Sequence, residues 1–255
     1  MNAPRFYSPE TLSAGACVAL SESAARHAAR VLRLREGDAL ILFDGRGGEY
    51  PARIARCGRD EVLAELEAWR DNECESPLAI TLVQALQAGE KMDLTVQKAV
   101  ELGAQRIVPV ASQRSVVRLE GERARRRVEH WRAVAASACE QCGRNRLPEI
   151  RELESLRQWL ARPADGDVLR LMLDPRSANT LQTLLRPDSG RRVELLIGPE
   201  GGFAPEEDAM AVEAGFAGIR LGPRVLRTET AGLAALAAIQ CLWGDLGDFG
   251  GAGDV

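Results

Sequence analysis

Little in this sequence points toward metal chemistry, export or a membrane. Its 255 residues include two histidines, His27 and His130, too few and too far apart for a zinc site. The six cysteines, Cys17, Cys57, Cys74, Cys139, Cys142 and Cys241, are scattered, and Cys139-x-x-Cys142 is the one close pair. No second pair accompanies it and no thioredoxin-like strand precedes it, so these two thiols read as packing residues. A chain this long needs no disulfide staples, so reduced thiols are expected. No apolar run approaches the roughly 18 residues of a membrane-spanning helix. The N-terminal MNAPRFYSPE lacks the apolar core of an export signal. Together these absences predict a cytoplasmic protein without a metal.

What is present is an ordinary globular composition, 45% apolar and 27% charged, which excludes a disordered or fibrous chain. A net charge of −4 argues against a surface coated with nucleic-acid-binding charge, but the charge is unevenly placed. Arg26, Arg30, Arg33 and Arg35 fall within ten residues with no acid among them, and Arg114 to Arg151 holds ten arginines against five glutamates. Basic faces on an acidic body fit RNA as a partner; the plain alternative is exposed helices that simply carry charge.

Taken in order, Ser21 to Leu34 has helical spacing, with Ser21 or Ser23 as cap and Arg26, Arg30 and Arg33 on one side. Ala39 to Phe43, Tyr50 to Ala55 and Val62 to Leu66 read as strands separated by glycine-containing turns, a small barrel or sheet. The polar stretch Asp71 to Pro77 then marks a domain boundary. We divide the chain into residues 1–73, residues 77–243 and a glycine- and aspartate-rich tail, 244–255, expected to be disordered. From Leu78 onward strands and helices alternate, which predicts a parallel sheet covered on both faces: strands at Ile80 to Leu86, Ile107 to Val110 and Val168 to Leu173, with helices at Lys91 to Leu102 and up to Cys142.

Two glycine-punctuated turns close this pattern. Val193 to Ile197 is a short buried strand stopped by Gly198-Pro199, and Gly201 and Gly202 leave the loop able to approach a ligand closely. Pro205 and the acids Glu206, Glu207 and Asp208 open a helix that Gly215 ends. The second turn repeats the logic: a strand at Ile219 to Leu221, a break at Gly222-Pro223, and a small, apolar helix capped by Thr228 or Thr230. The loop GPEGGF fits neither G-x-G-x-x-G nor the Lys-Ser/Thr of a P-loop, so phosphate cradling is the weaker reading. The two turns are expected to form one cofactor pocket.

IGPEGGF and LGPRVLRTETA resemble the paired C-terminal signatures of the SPOUT-type RNA methyltransferases, most closely the bacterial family that methylates N3 of a uridine in 16S ribosomal RNA. KMDLTVQKAVELGAQRIVPVASQRSVV and HWRAVAASACEQCGRNRLPEI are similar to further segments of that family, with Gln113 where glutamate is usual. RFY and HAARVLRLREGD are similar to its PUA-like RNA-binding barrel, with Ala28 where leucine is usual. The resemblance implies an α/β fold, a SPOUT-type parallel sheet with a C-terminal trefoil knot, preceded by that small N-terminal PUA-like β-barrel domain. It implies S-adenosylmethionine as cofactor, held by Leu173, Ile197, Gly198, Pro199, Glu200, Gly202, Leu221, Gly222, Leu226, Arg227, Thr228 and Thr230. It also implies a homodimer, with 16S rRNA or the small ribosomal subunit as partner. Arg5, Arg26, His27, Arg30, Arg33, Arg114 and Arg144 are the expected RNA-binding residues.

Methyl transfer from a sulfonium needs positioning and the removal of one proton. Uracil N3–H is weakly acidic, so Glu200 and Glu229 are candidate bases and Arg114 or Arg227 the candidate electrostatic partner. Two rival readings stay open: a SPOUT methyltransferase with another RNA target, and a non-catalytic RNA-binding assembly factor.

Overall fold

Residues 3–58, 61–163, 166–184 and 192–247 are described by the computed structural model. The chain falls into two units, Met1–Glu75 with Ala136–Leu147, and Ser76–Ala135 with Pro148–Val255. The sequence-based division placed 136–147 with the second domain, but this segment carries polar side chains that serve the first unit. Glu140 accepts a hydrogen bond from the Tyr7 backbone N–H at 2.9 Å, and Arg144 pairs with Glu75 at 2.6 Å.

The first unit contains β1 (Arg5–Tyr7), β2 (Cys17–Ala19), α1 (Glu22–Arg26), β3 (Ala39–Phe43), β4 (Tyr50–Cys57) and β5 (Val62–Leu66). Its five-stranded sheet has the order β1-β3-β4-β5-β2, with β1 parallel to β3 and every other pair antiparallel. Alternation along β4 puts Ala52 and Ile54 inside and Arg53 and Ala55 outside, as a sheet with one dry face requires. Phe6, Leu40, Leu42, Ile54, Ala64 and Leu66 fill the core, and Ala24, Ala25 and Ala28 pack into it from the helix. Ser21 caps α1, its hydroxyl accepting from the Ala24 N–H. The α-helix stops at Arg26, earlier than its periodicity predicts. A π-turn, His27–Val31, follows, and Arg33 sits in the left-handed region at φ 56°. Arg33 therefore does not share a helix face with Arg26 and Arg30.

The second unit contains β6 (Ala79–Ala85), α2 (Lys91–Glu101), β7 (Arg106–Ala111), most of α3 (Gly121–Cys142), β8 (Glu149–Ile150), β9 (Glu154–Ser155), α4 (Leu156–Leu160), β10 (Val168–Leu173), β11 (Arg192–Ile197), α5 (Pro205–Glu213), β12 (Ala217–Ile219) and α6 (Thr228–Trp243). All pairings are parallel, in the order β12-β10-β11-β6-β7-β8, with β9 also on β7. The central strand β6 is buried along almost its whole length, as a sheet covered on both faces demands. Glu194, the one charge in the apolar run of β11, stands opposite Arg170 of β10. Their side chains pair at 2.8 Å, and Arg170 also donates to the Ala214 carbonyl and lies over the Phe216 ring. A buried charge persists only when paired in this way.

β12 lies at the far edge beside β10 and two residues earlier than expected, yet α6 packs on β11 and α2. The chain between them therefore returns from the sheet edge toward its middle, as the resemblance to the SPOUT class implies. Gly232 permits that contact, since a Cβ there would lie 3.2 Å from Gln84 Oε1 and 3.4 Å from Ile197 Cγ1. At its other end Gln240 accepts from Ser76 Oγ and donates to the Leu102 carbonyl. One face of α6 is buried (Gly232, Ala235, Leu236, Ile239), while Cys241 and Leu242 are exposed. The expected tail begins in the turn that closes α6, and residues 248–255 lie outside the described residues.

Candidate functional site

The two glycine turns meet. Thr228, in the first turn of α6, donates its hydroxyl to the Gly198 carbonyl and accepts from Gln84 Nε2 at 3.3 Å. Neither it nor Thr230 caps the helix as predicted. Arg227 occupies the cap position without a side-chain bond, and the Thr228 hydroxyl is spent on tying one turn to the other. Between the turns lies a cleft of about 560 Å³, floored by Ile197 to Phe203 and closed by Val225 to Thr228. A smaller recess lined by Ile219, Leu221 and Gly222 shares Leu173, Leu226 and Ala231 with it. Gly198 packs against the Phe203 ring, where a Cβ would come within 3.3 Å. Gly202 adopts φ 67° and faces open space, the backbone freedom that the glycine-rich loop suggested.

The cleft has two charged ends. At one, Lys91 Nζ lies 3.3 Å from Glu200 Oε1 and 3.4 Å from Glu229 Oε1. At the other, Arg176 pairs with Asp174 at 2.9 Å and with Asp208 at 3.1 Å. The Arg176 guanidinium and backbone N–H hold the Asp174 carboxyl below the ordinary carboxylate range against the opposing effect of burial. Arg114 reaches the same cleft and donates to the Gly201 carbonyl at 3.1 Å. Glu207 fixes its approach: buried at the start of α5, it accepts from the Gln113 N–H at 2.8 Å and the Ala204 N–H at 3.0 Å.

Of the residues expected around a cofactor, Leu173, Ile197, Gly198, Pro199, Glu200, Gly202, Leu226, Arg227 and Thr228 line the cleft, and Leu221 and Gly222 line the adjoining recess. Thr230 lines neither; its backbone N–H bonds the Arg227 carbonyl. Lys91, Asp174, Arg176 and Asp208 were not expected, since no local pattern marks them. A cue existed for Lys91, which opens a helix directly after a central strand.

Two of the expected RNA-binding residues are engaged within the first unit. Arg5 is nearly buried, paired with Glu49, bonded to Asn145 and set over the Phe43 ring. Arg144 is 3% exposed and makes a two-pronged bond to Glu75. Arg26, His27, Arg30 and Arg33 are exposed, beside the exposed apolar Val31 and Leu32. His27 also meets Phe6 edge to face. The close cysteine pair packs: Cys139 is fully buried and its thiol is pushed up to about 12 by burial. Among the described residues no group of three or more His, Cys, Asp or Glu could hold a metal, and no helix is long and apolar enough to cross a membrane.

A parallel sheet whose last helix doubles back to close a cleft between two glycine turns defines the SPOUT class of RNA methyltransferases. Residues 74–240 match the RNA methyltransferase domain family and residues 20–67 the RNA methyltransferase PUA domain family. The chain is 34% identical over 243 residues to a ribosomal RNA small subunit methyltransferase E of Buchnera aphidicola, covering 95% of this chain and 98% of that one. Two solved structures are similar over 96% of this chain and the whole of theirs. One is a putative methyltransferase of Legionella pneumophila in complex with the bound cofactor SAM (37% identity, TM-score 0.91). The other is a ribosomal RNA small subunit methyltransferase E of Neisseria gonorrhoeae bound to S-adenosyl methionine (40% identity, TM-score 0.88). The chain belongs to the ribosomal RNA small subunit methyltransferase E family.

Proposed function

We propose that this protein transfers the methyl group of S-adenosylmethionine to N3 of a uridine in the 16S rRNA of the small ribosomal subunit. The observation that carries the reading is the convergence of the two glycine turns on one cleft. Its volume falls within the roughly 300–1,000 Å³ of small-molecule sites. The lining fits the cofactor's parts: apolar Leu173, Ile197, Leu226 and Ala231 suit an adenine face, and loop backbone at Gly198, Leu221 and Gly222 can meet its polar edge. Open space at Gly202 leaves room for close approach. Bound S-adenosylmethionine supplies an electrophilic methyl on sulfur. This chain's residues must exclude water, hold the uracil ring in line and accept the N3 proton. Glu200 and Glu229 are the carboxylates near that point, with Arg114 and Arg227 as further cations.

RNA is held by Arg26, His27, Arg30 and Arg33 of the first unit and by Arg114 of the second, through phosphate contacts that set register. The half-exposed apolar face of α6, Leu233, Ala234, Ala237 and Ala238, supports burial against a second copy in a homodimer. A cytoplasmic site of action accords with a ribosomal substrate. Calorimetry with S-adenosylmethionine, paired with nucleoside analysis of 16S rRNA from a deletion strain, tests the reading. Cofactor binding and loss of 3-methyluridine are expected. Binding with loss of a different nucleoside would mean another RNA target, and no binding would mean a non-catalytic assembly factor.

A further inference from the structure

Lys91 reaches the cleft from outside both turns, from the first position of α2, and three observations set it apart. First, it is one of only two lysines among the 33 basic residues of the chain; every other cation is arginine. The second lysine, Lys98, pairs with Glu101 on the same helix. A chain that uses arginine almost everywhere has placed a compact ammonium at this one cleft. Second, Lys91 opens an eleven-residue helix, where a positive charge opposes the macrodipole. Third, it contacts two carboxylates at once, and these differ in access. Glu200 lines the cleft with its side chain 31% exposed. Glu229 is not among the lining groups, is 16% exposed, and keeps Oε2 buried without a partner in the described structure.

We propose that Lys91 is the cation that stabilises the deprotonated pyrimidine, with Glu200 as the carboxylate that takes the N3 proton and Glu229 as the positioning residue that keeps the ammonium at the cleft. The proposal rests on the methyl-transfer reading above. The N3–H bond breaks as its proton passes to a Glu200 oxygen. The N3 electron pair forms the bond to the methyl carbon, and the pair of the broken C–S bond stays on sulfur as a neutral thioether. Charge that builds on the ring carbonyl oxygens before transfer meets the Lys91 ammonium. The other charged groups lining the cleft are Arg114, Asp174, Arg176, Asp208 and Arg227. Arg114 is engaged with Gly201, and Arg176 with its two aspartates. Glu90 and Asp93 flank Lys91 on its own segment, and Arg127 and His130 of α3 are both bound to Asp93.

The test measures cofactor affinity by calorimetry and single-turnover methyl transfer to 16S rRNA across pH, for wild type, Lys91→Met, Lys91→Arg, Glu200→Gln and Glu229→Ala. Lys91→Met should leave cofactor affinity unchanged and slow transfer on the order of 10²-fold or more at neutral pH. Lys91→Arg, which keeps the charge, should recover part of that loss. Glu200→Gln should be slowed at neutral pH but approach wild type at alkaline pH, where N3 ionises without a base; the Lys91→Met deficit should persist there. Glu229→Ala should cost less than Lys91→Met and add nothing to it in the double variant, because it acts through Lys91. Lys91→Met at the wild-type rate, a loss of cofactor affinity matching the loss of rate, or a Glu200→Gln deficit constant with pH would each overturn the proposal while leaving the methyl-transfer reading in place. A wild-type protein that forms no 3-methyluridine overturns both.

Discussion

Arg5 and Glu49 form a nearly buried pair in the first unit, with side chains 13% and 5% exposed. Burial pushes the Glu49 carboxyl up, but bonds from Arg5, Asn72 and Asn145 outweigh it and hold the group below its ordinary range. A depressed folded-state value means that the pair's stabilisation is present above the unfolded value, roughly pH 4.3, and is lost as pH falls through the folded one. Glu49→Gln strands a buried guanidinium and should destabilise the protein by about 3 kcal/mol at pH 7. The deficit should shrink toward pH 3, which urea titrations at the two pH values would show; a deficit independent of pH would argue that the carboxylate's charge is irrelevant there. Residue-scale facts of this kind were the least legible in the sequence. A buried arginine and an exposed one carry the same letter, so Arg5 and Arg144 read as RNA ligands. Nothing local foretold that Arg33 would take a left-handed conformation.

Helix α6 is fixed at both ends by contacts to distant segments, Thr228 to Gly198 and Gln240 to Ser76 and Leu102. Gly103, which ends α2, makes the second anchor possible. Its φ is 79°, and a Cβ there would lie 2.6 Å from Gln240 Nε2. Gly89 has a similar φ of 63° with nothing within 4 Å. Gly89→Ala should cost only the left-handed backbone penalty, about 1 kcal/mol. Gly103→Ala should cost that and a displaced Gln240, about 2–4 kcal/mol in all, and chemical denaturation of the two variants measures the difference. Equal losses would mean that Gln240 yields freely and the anchor contributes nothing. Elements were largely readable: hydrophobic period and glycine punctuation located β6, β7, β10, β11, α2 and α5. The short β8, β9 and α4 escaped because each is too brief to show a period. Lys91 escaped as a site residue because it meets Glu200 only through the sheet order, which sets β6 beside β11.

The proposed function gives the two units separable tasks, the first holding RNA and the second holding cofactor. Arg26→Ala with Arg30→Ala should weaken binding of 16S rRNA and reduce its log-log salt slope by about one unit per lost contact, with cofactor affinity unchanged. Unaltered affinity and slope would move the RNA platform to the arginines of α3. The class of fold was legible because paired glycine turns, each between a strand and a helix, leave a pattern in one dimension. The doubling back of α6 was implied only by resemblance, since propensity carries no information about threading. The central claim is that the cleft between these turns delivers a methyl group to N3 of a uridine in small-subunit rRNA. The most direct measurement incubates the protein with methyl-labelled S-adenosylmethionine and small subunits from a strain lacking the enzyme, then digests the rRNA to nucleosides. Label in 3-methyluridine alone is the predicted result, and label in any other nucleoside, or none at all, would contradict the account.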